Sequence, residues 1–498
     1  MALPAIDTMN RNSTEESAFG KSRAVKWRSV VRAGMPLIVG ITIASAPAPQ
    51  GLASNAWLYF ALFAAVIVGV ITEPIPAAAI GLAGVVIAAL SGLIHASPAQ
   101  ATAWALSGFA DKTVWLIFAA YMFALGYSKS GLGKRIALLL IRAMGKRTLG
   151  LGYAVALADL ALAPMMPSNT ARSGGTIFPI IRNIPELYGS HPGDESARKI
   201  GAYLMYTALA ITCVTSSMFP TSLAPNILAI GLVSQATGVT ISWVDWFKGF
   251  APVGFVLFLV VPLLLYKIYP PEIKESPDAP RWAADELAKL GPVTRKEILL
   301  LALVLAALVA WIGGAKYIDP ALAAILVVVL MVVIRVISWN EVIGHAQAWN
   351  VLVWFATLVT MANGLVKTKF VDWLAQSLAP VVSGLGPTTS IVALVGVFYL
   401  VHYLFASLTA HTSALLPVFL GVAVHIRGVS PVACALLLAY TLGLMGILTP
   451  YATGPSPIYY GSGYIKSRDF WILGLILGMV FFLTYVVITI PWLAFLNI

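Results

Sequence analysis

This sequence predicts an all-helical fold that crosses a membrane many times, and three observations carry that prediction. Hydrophobic residues make up 59% of the chain and charged residues only 10%, with a mean hydropathy of +0.89; water-soluble globular chains carry roughly a quarter charged residues. Apolar runs of about 20 residues, the length a helix needs to span a bilayer, recur from Gly34 to Ile498. The alternating segments that mark a membrane β-barrel do not occur in the sequence.

The net charge of +11 does not indicate a nucleic-acid partner. The basic residues gather in short stretches between apolar runs, as the positive-inside bias requires. Arg23, Lys26, Arg28 and Arg32 precede the first span, so residues 1–30 are expected in the cytoplasm and Met1 to Lys26 is too polar for a cleaved signal. Cys213 and Cys434 lie in apolar runs and read as small hydrophobes, without metal or redox spacing. The simplest address is a bacterial inner membrane.

Spans are expected at about 34–49, 55–72, 75–95 and 112–130. A basic loop at 129–147 then marks the cytoplasmic side. From 148 to 182 the apolar run is interrupted by Pro164, Pro167, Gly174 and Gly175, leaving two arms too short to cross; a re-entrant hairpin fits. The stretch 200–236 is too long for one ordinary span and carries Pro220, Pro225 and several hydroxyls at its centre. That composition describes a broken helix, tolerated only where protein or a watery cavity satisfies the freed backbone. A span at 249–269 follows, then a charged, proline-rich linker from Lys267 to Lys296. The second half repeats the plan, with spans at 297–315, 321–337 and 350–366, a hairpin at 389–426, a broken stretch at 432–465 and a last span at 470–497. The total is about eleven crossings and two hairpins, with the C-terminus in the periplasm.

The halves match in detail. Pro167-Ser168-Asn169-Thr170-Ala171-Arg172 aligns with Ala406-Ser407-Leu408-Thr409-Ala410-His411, and each hairpin is followed by a broken helix. Paired interruptions in two inverted halves point to the binding site of a secondary transporter. A half-helix starting at either tip presents unpaired N–H groups and the positive end of its dipole, which suit a carboxylate. Ser168, Asn169, Thr170, Ser407 and Thr409 add neutral donors and acceptors, and their oxygens suit Na⁺ as well, with Ser168, Asn169 and Asn226 as the candidate metal ligands. Arg172 and His411 occupy equivalent repeat positions as ionisable residues inside the membrane, which makes both candidate substrate ligands. Thr221 on one broken helix and Thr453 and Pro455 on the other complete the walls. Small polar residues also pack or cap helices without binding anything, but their repetition in register favours a site. Asp159 reads as a paired or capping carboxylate, and His402 and Glu73 as structural.

The runs Ser168-Asn169-Thr170-Ala171-Arg172-Ser173-Gly174-Gly175, Ser407-Leu408-Thr409-Ala410-His411-Thr412 and Leu448-Thr449-Pro450-Tyr451-Ala452-Thr453-Gly454-Pro455 resemble the divalent anion/sodium symporter family. Within it the chain is most similar to the bacterial citrate/succinate and tartrate/succinate antiporters and the chloroplast 2-oxoglutarate/malate translocators. The resemblance runs from about residue 30 to the end. It implies an elevator-type transporter of di- and tricarboxylate anions, embedded in lipid as a homodimer. It further implies scaffold helices at 31–147 and 297–388, transport-domain segments at 148–269 and 389–498, and a cytoplasmic linker at 270–296. Leu408 departs from the asparagine of the sodium-coupled members and removes a side-chain oxygen. Carboxylate exchange without a cofactor is therefore expected, with sodium symport as the rival. A channel would lack saturable counterflow. An intramembrane enzyme finds no support: His-Glu-x-x-His, paired intramembrane aspartates and Gly-x-Ser-x-Gly do not occur.

Overall fold

The computed structural model describes residues 33–314, 316–383, 386–423, 426 and 428–498. The basic cluster Arg23, Lys26, Arg28 and Arg32 lies outside the described residues. Those described form helices and connecting turns, with no strand among them beyond a single bridge between Arg147 and Glu275.

The first repeat opens with α1 (Ala33–Ser45), α2 (Ser54–Thr72), α3 (Ala77–Leu90), α4 (Pro98–Leu106) and α5 (Lys112–Ser130). Asp111 caps α5 by accepting the Thr113 N–H at 2.8 Å, and Gly131 ends it at φ +80°. Then come α6 (Leu132–Met144), α7 (Thr148–Leu162), α8 (Phe178–Ile181), α9 (Gly201–Met218), α10 (Ala224–Thr237) and α11 (Trp243–Ile268). The linker carries α12 (Asp278–Leu290).

The second repeat has α13 (Arg295–Gly313), α14 (Pro320–Val333), α15 (Trp339–Gly344), α16 (Ala346–Lys367), α17 (Phe370–Ser383), α18 (Pro387–Val401), α19 (Leu408–Ala423), α20 (Pro431–Ala439), α21 (Thr441–Leu444), α22 (Pro455–Gly461) and α23 (Ser467–Phe495). Thr294 with Glu297 and Ser338 with Glu341 form reciprocal capping boxes at the starts of α13 and α15. Among the described residues eight helices are long and apolar enough to cross a membrane, the first arm of each hairpin among them, and five shorter apolar helices accompany them.

Four stretches differ from the sequence reading. The 129–147 stretch is not a loop: α6 buries Leu132, Ala137, Leu138 and Ile141 on one stripe and turns Lys134 and Arg135 towards α12 and α13. The linker likewise folds, because Ala279, Ala283 and Leu287 recur every fourth residue and pack on α6. The helices α4 and α17 were not anticipated, since one is short and the other carries polar residues among its apolar ones.

Close backbone approach holds the helices that carry no hairpin. A Cβ on Gly108 would lie 1.9 Å from the carbonyl oxygen of Ala356 in α16, so only glycine fits, as small residues allow between membrane helices. The linker is strapped to the first repeat by backbone. Glu272 and Ile273 donate to Arg198 and Lys199, Thr148 donates to Lys274, and Ser276 donates to Lys146. The Arg198 guanidinium lies 3.6 Å from the centroid of the Tyr269 ring.

Candidate substrate site

Both hairpins turn by the same local sequence of events. At the first, the 3₁₀ turn Ala163–Met165 ends at Met166, held extended (φ −123°, ψ 91°) by the following Pro167. At the second, the 3₁₀ turn His402–Leu404 ends at Phe405, also extended (φ −116°, ψ 134°). Two residues later a serine restarts the helix. Ser168 Oγ accepts the Ala171 N–H at 3.2 Å, and Ser407 Oγ accepts the Ala410 N–H at 3.3 Å. The N–H groups of Arg172 and His411 then donate to the carbonyls of Ser168 and Ser407 at 2.9 and 3.0 Å. The internal repeat thus holds residue by residue. The helix restarting at the first tip is π-helical over Thr170–Ile177, a wide turn that recurs at functional sites.

The tips pack crosswise between repeats. The first hairpin lies against α22 of the second repeat, and α10 of the first lies against α19 of the second hairpin. One loop, Thr449 to Gly454, touches both. Asn169 Nδ2 donates to Thr453 Oγ1 at 2.8 Å, and His402 Nε2 lies 2.8 Å from the Ala452 carbonyl. A Cβ on Gly454 would sit 1.8 Å from Thr170 Oγ1, so the loop reaches the tip only as glycine. Ser173 and Tyr459 share a 2.8 Å hydrogen bond one turn further on, and Pro455 starts α22. Thr221 donates to the Pro164 carbonyl at 2.5 Å and accepts from Trp243 Nε1 at 3.2 Å, tying the first broken helix to the first hairpin. The Ala224 N–H donates to the Pro167 carbonyl at 2.7 Å beside it. Ser168 and Asn169 are buried, while Thr170, Ser407 and Thr409 keep partial exposure.

The structure corrects the expectation for Arg172. Its side chain is 0% exposed, and its five N–H groups all find acceptors inside the protein. Nε pairs with Asp159 at 3.1 Å, and Nη1 donates to the carbonyls of Met166 and Ser222 at 2.8 and 2.7 Å. Nη2 donates to Ser216 Oγ at 2.9 Å and lies within 3.4 Å of the Thr212 and Thr215 hydroxyls. Thr215 also donates to Asp159. No donor remains for a substrate, so Arg172 staples the first hairpin to the first broken helix. Asp159 is the paired carboxylate expected.

The same geometry bears on sodium. Asn226 turns Nδ2 to the carbonyls of Ser216 and Phe219 at 2.6 and 3.1 Å, leaving Oδ1 without a partner. Close by, the Arg172 guanidinium, paired with Asp159, engages the Ser216 hydroxyl and the Ser222 carbonyl. At the second tip Leu408 offers only its carbonyl, which accepts from Thr412 at 2.8 Å. The second tip thus gives Na⁺ no side-chain oxygen at this position.

His411 is different again. It is 0% exposed, yet neither ring nitrogen has a partner. Its ring stands 5.0 Å from that of His402, whose Nδ1 is also unpartnered. Sequence reasoning treated His402 as structural; its spacing one 3₁₀ turn and an extended residue before the tip was the available signal.

A family model described as the sodium:sulfate symporter transmembrane region matches residues 27–498. The L-tartrate/succinate antiporters of Escherichia coli (strain K12) and Shigella sonnei (strain Ss046) are each 48% identical over 480 residues, covering 94% of this chain and 98% of theirs. The solved Alcanivorax borkumensis YdaH transporter aligns with a TM-score of 0.57 at 17% identity, covering 81% of this chain and 91% of that one. Neisseria gonorrhoeae MtrF, described as one of a class of antimetabolite efflux pumps, aligns at 0.54 and 14% identity, covering 77% and 82%. At these identities the two structures speak for the fold alone.

Proposed function

The chain belongs to the sodium:sulfate symporter family, and from that premise we propose that it exchanges small di- or tricarboxylate anions across a bacterial inner membrane. The observation that carries this reading is the loop Thr449 to Gly454, which meets the tips of both hairpins. It makes one site from two half-helix starts, each capped by a serine, and so presents two sets of N–H groups to an anion with two carboxylates. The relatives named for tartrate and succinate supply the substrate class. In this reading Ser168, Asn169, Thr170, Ser407, Thr409 and His411 face the substrate, and Thr221, Thr453 and Pro455 hold the walls.

In this reading exchange follows from the second tip. With Leu408 offering Na⁺ no side-chain oxygen there, the empty carrier has no sodium to bring back. A second anion is then needed for return. We assign the movement to an elevator, with 148–269 and 389–498 sliding against 31–147 and 297–388 in a homodimer. We infer a cytoplasmic N-terminus and a periplasmic Ile498, a reading supported by the basic residues Lys129, Lys134 and Arg135 and the linker lysines between spans.

Purified protein in liposomes loaded with succinate tests the reading. External labelled tartrate or succinate should enter only when internal carboxylate is present, and replacing external Na⁺ by K⁺ should change the rate little. Robust uptake into empty liposomes driven by an inward Na⁺ gradient would overturn it.

A further inference from the structure

His402 and His411 form an enclosed pair. Both are 0% exposed, with ring centroids 5.0 Å apart at 75°. Phe398 and Phe405 wall the His411 ring at 4.4 and 5.0 Å. A carbonyl oxygen can only accept, so the 2.8 Å contact to Ala452 places a proton on His402 Nε2. Its Nδ1 is then a lone pair with no donor. Neutral His411 adds one N–H and one lone pair, both unpartnered.

The inventory does not balance in the neutral state. One free N–H faces two free lone pairs, and each buried polar group left unpaired costs about 1–3 kcal/mol. One added proton changes this. His411 then has two N–H groups, one able to turn to His402 Nδ1 and the other to an acceptor outside the pair. A buried imidazolium without a counter-charge is itself costly. A carboxylate at the second tip supplies both the acceptor and the charge. Proton and anion therefore favour each other's binding, and the coupling is reciprocal.

We propose that the His402–His411 pair takes up one proton from solvent when a dicarboxylate binds, and carries it with the anion. The proton adds to a ring lone pair of His411 and leaves to solvent when the anion is released; no other bond forms or breaks. The inference rests on the carboxylate reading above. The elements packed against α19 are α2, α10, α16, α17, α18, α20 and α21. Their titratable side chains are Tyr59, Lys367, Asp372, Tyr399 and Cys434; Asp372, the carboxylate among them, is exposed, and none bonds a ring nitrogen of His411. A carboxylate counter-charge must then come from the substrate. Ala452 precedes Thr453, the partner of Asn169, so the protonated pair is joined through one loop to the first tip.

Isothermal calorimetry of the full-length protein in detergent tests this at slightly alkaline pH, where free succinate is fully ionised. Succinate is titrated in phosphate and in Tris, buffers of different ionisation enthalpy. The expected result is a buffer-dependent heat equal to uptake of close to one proton per succinate. His411→Asn should abolish the uptake, and His402→Phe, which keeps an aromatic wall, should reduce it. Equal heats in both buffers, with succinate bound, would refute proton uptake and leave carboxylate exchange standing. Succinate that fails to bind the wild-type protein in either buffer would instead refute the carboxylate reading. Uptake persisting unchanged in both variants would remove the pair as its site.

Discussion

Replacing Arg172 by methionine separates a staple from a substrate ligand. The side chain keeps an unbranched apolar stem but loses the guanidinium and its charge, leaving Asp159 as a buried anion with only the Thr215 hydroxyl beside it. It also strands the Ser222 and Met166 carbonyls and the Ser216 hydroxyl. Breaking a buried pair by removing one partner costs about 3–5 kcal/mol. At roughly 1.4 kcal/mol per tenfold, that lowers the folded-to-unfolded ratio by about a hundredfold to a few thousandfold. Asp159→Asn combined with Arg172→Met removes the stranded charge and should recover part of the loss. The assay is unfolding of the detergent-solubilised protein for wild type, both singles and the double, alongside succinate affinity of whatever folds. A variant with wild-type stability and succinate affinity weakened tenfold or more would refute the staple and return Arg172 to the substrate.

Other outcomes follow from separate parts of the structure. Gly454→Ala should cut exchange at least tenfold while the protein still assembles, because its Cβ would enter the space of Thr170 Oγ1; counterflow in liposomes measures it. Arg135→Met breaks the 2.6 Å pair with Glu297, which is 2% exposed, and the contacts to the Gly291 and Pro292 carbonyls. Limited proteolysis should then cut within 270–296 faster than in wild type. The Glu341 carboxyl is held at about 2, below its ordinary value of 4.5, by Lys129 and then by the Ser338 N–H and hydroxyl. Its folded value is depressed, so its contribution is full above about 4.5 and lost as pH falls towards about 2. The stability difference between wild type and Glu341→Gln should therefore shrink across that window; a pH-independent difference would contradict it.

The hairpins and broken helices were legible because proline and glycine interrupt apolar runs at matched places in two halves. Two short 3₁₀ turns, two extended residues and two serine caps realise that match. The helices α6 and α12 were not legible, since a charged stretch between spans reads the same whether it is a loop or an amphipathic helix lying on a neighbour. The role of Arg172 was hidden for another reason. Its acceptors Thr212 and Ser216 on α9 and Ser222 in the turn after it lie far along the chain. The repeat fixes where the arginine sits but not which way its side chain turns. His402 was passed over because an isolated histidine beside aromatic residues usually belongs to packing.

The strap at 272–276 changes what kind of mechanical part the mid-chain connector is. A slack tether would let the two halves move independently and dissipate any pull between them. Here four backbone hydrogen bonds clamp it to the starts of α7 and α9. Its helix α12 then bears on α6 through Lys134 and Glu286, and Arg135 carries the load onto the first turn of α13 through Glu297. The connector is therefore a folded bridge, anchored by backbone at one end and by two ion pairs at the other, between the hairpin-bearing segment and the helices beside it.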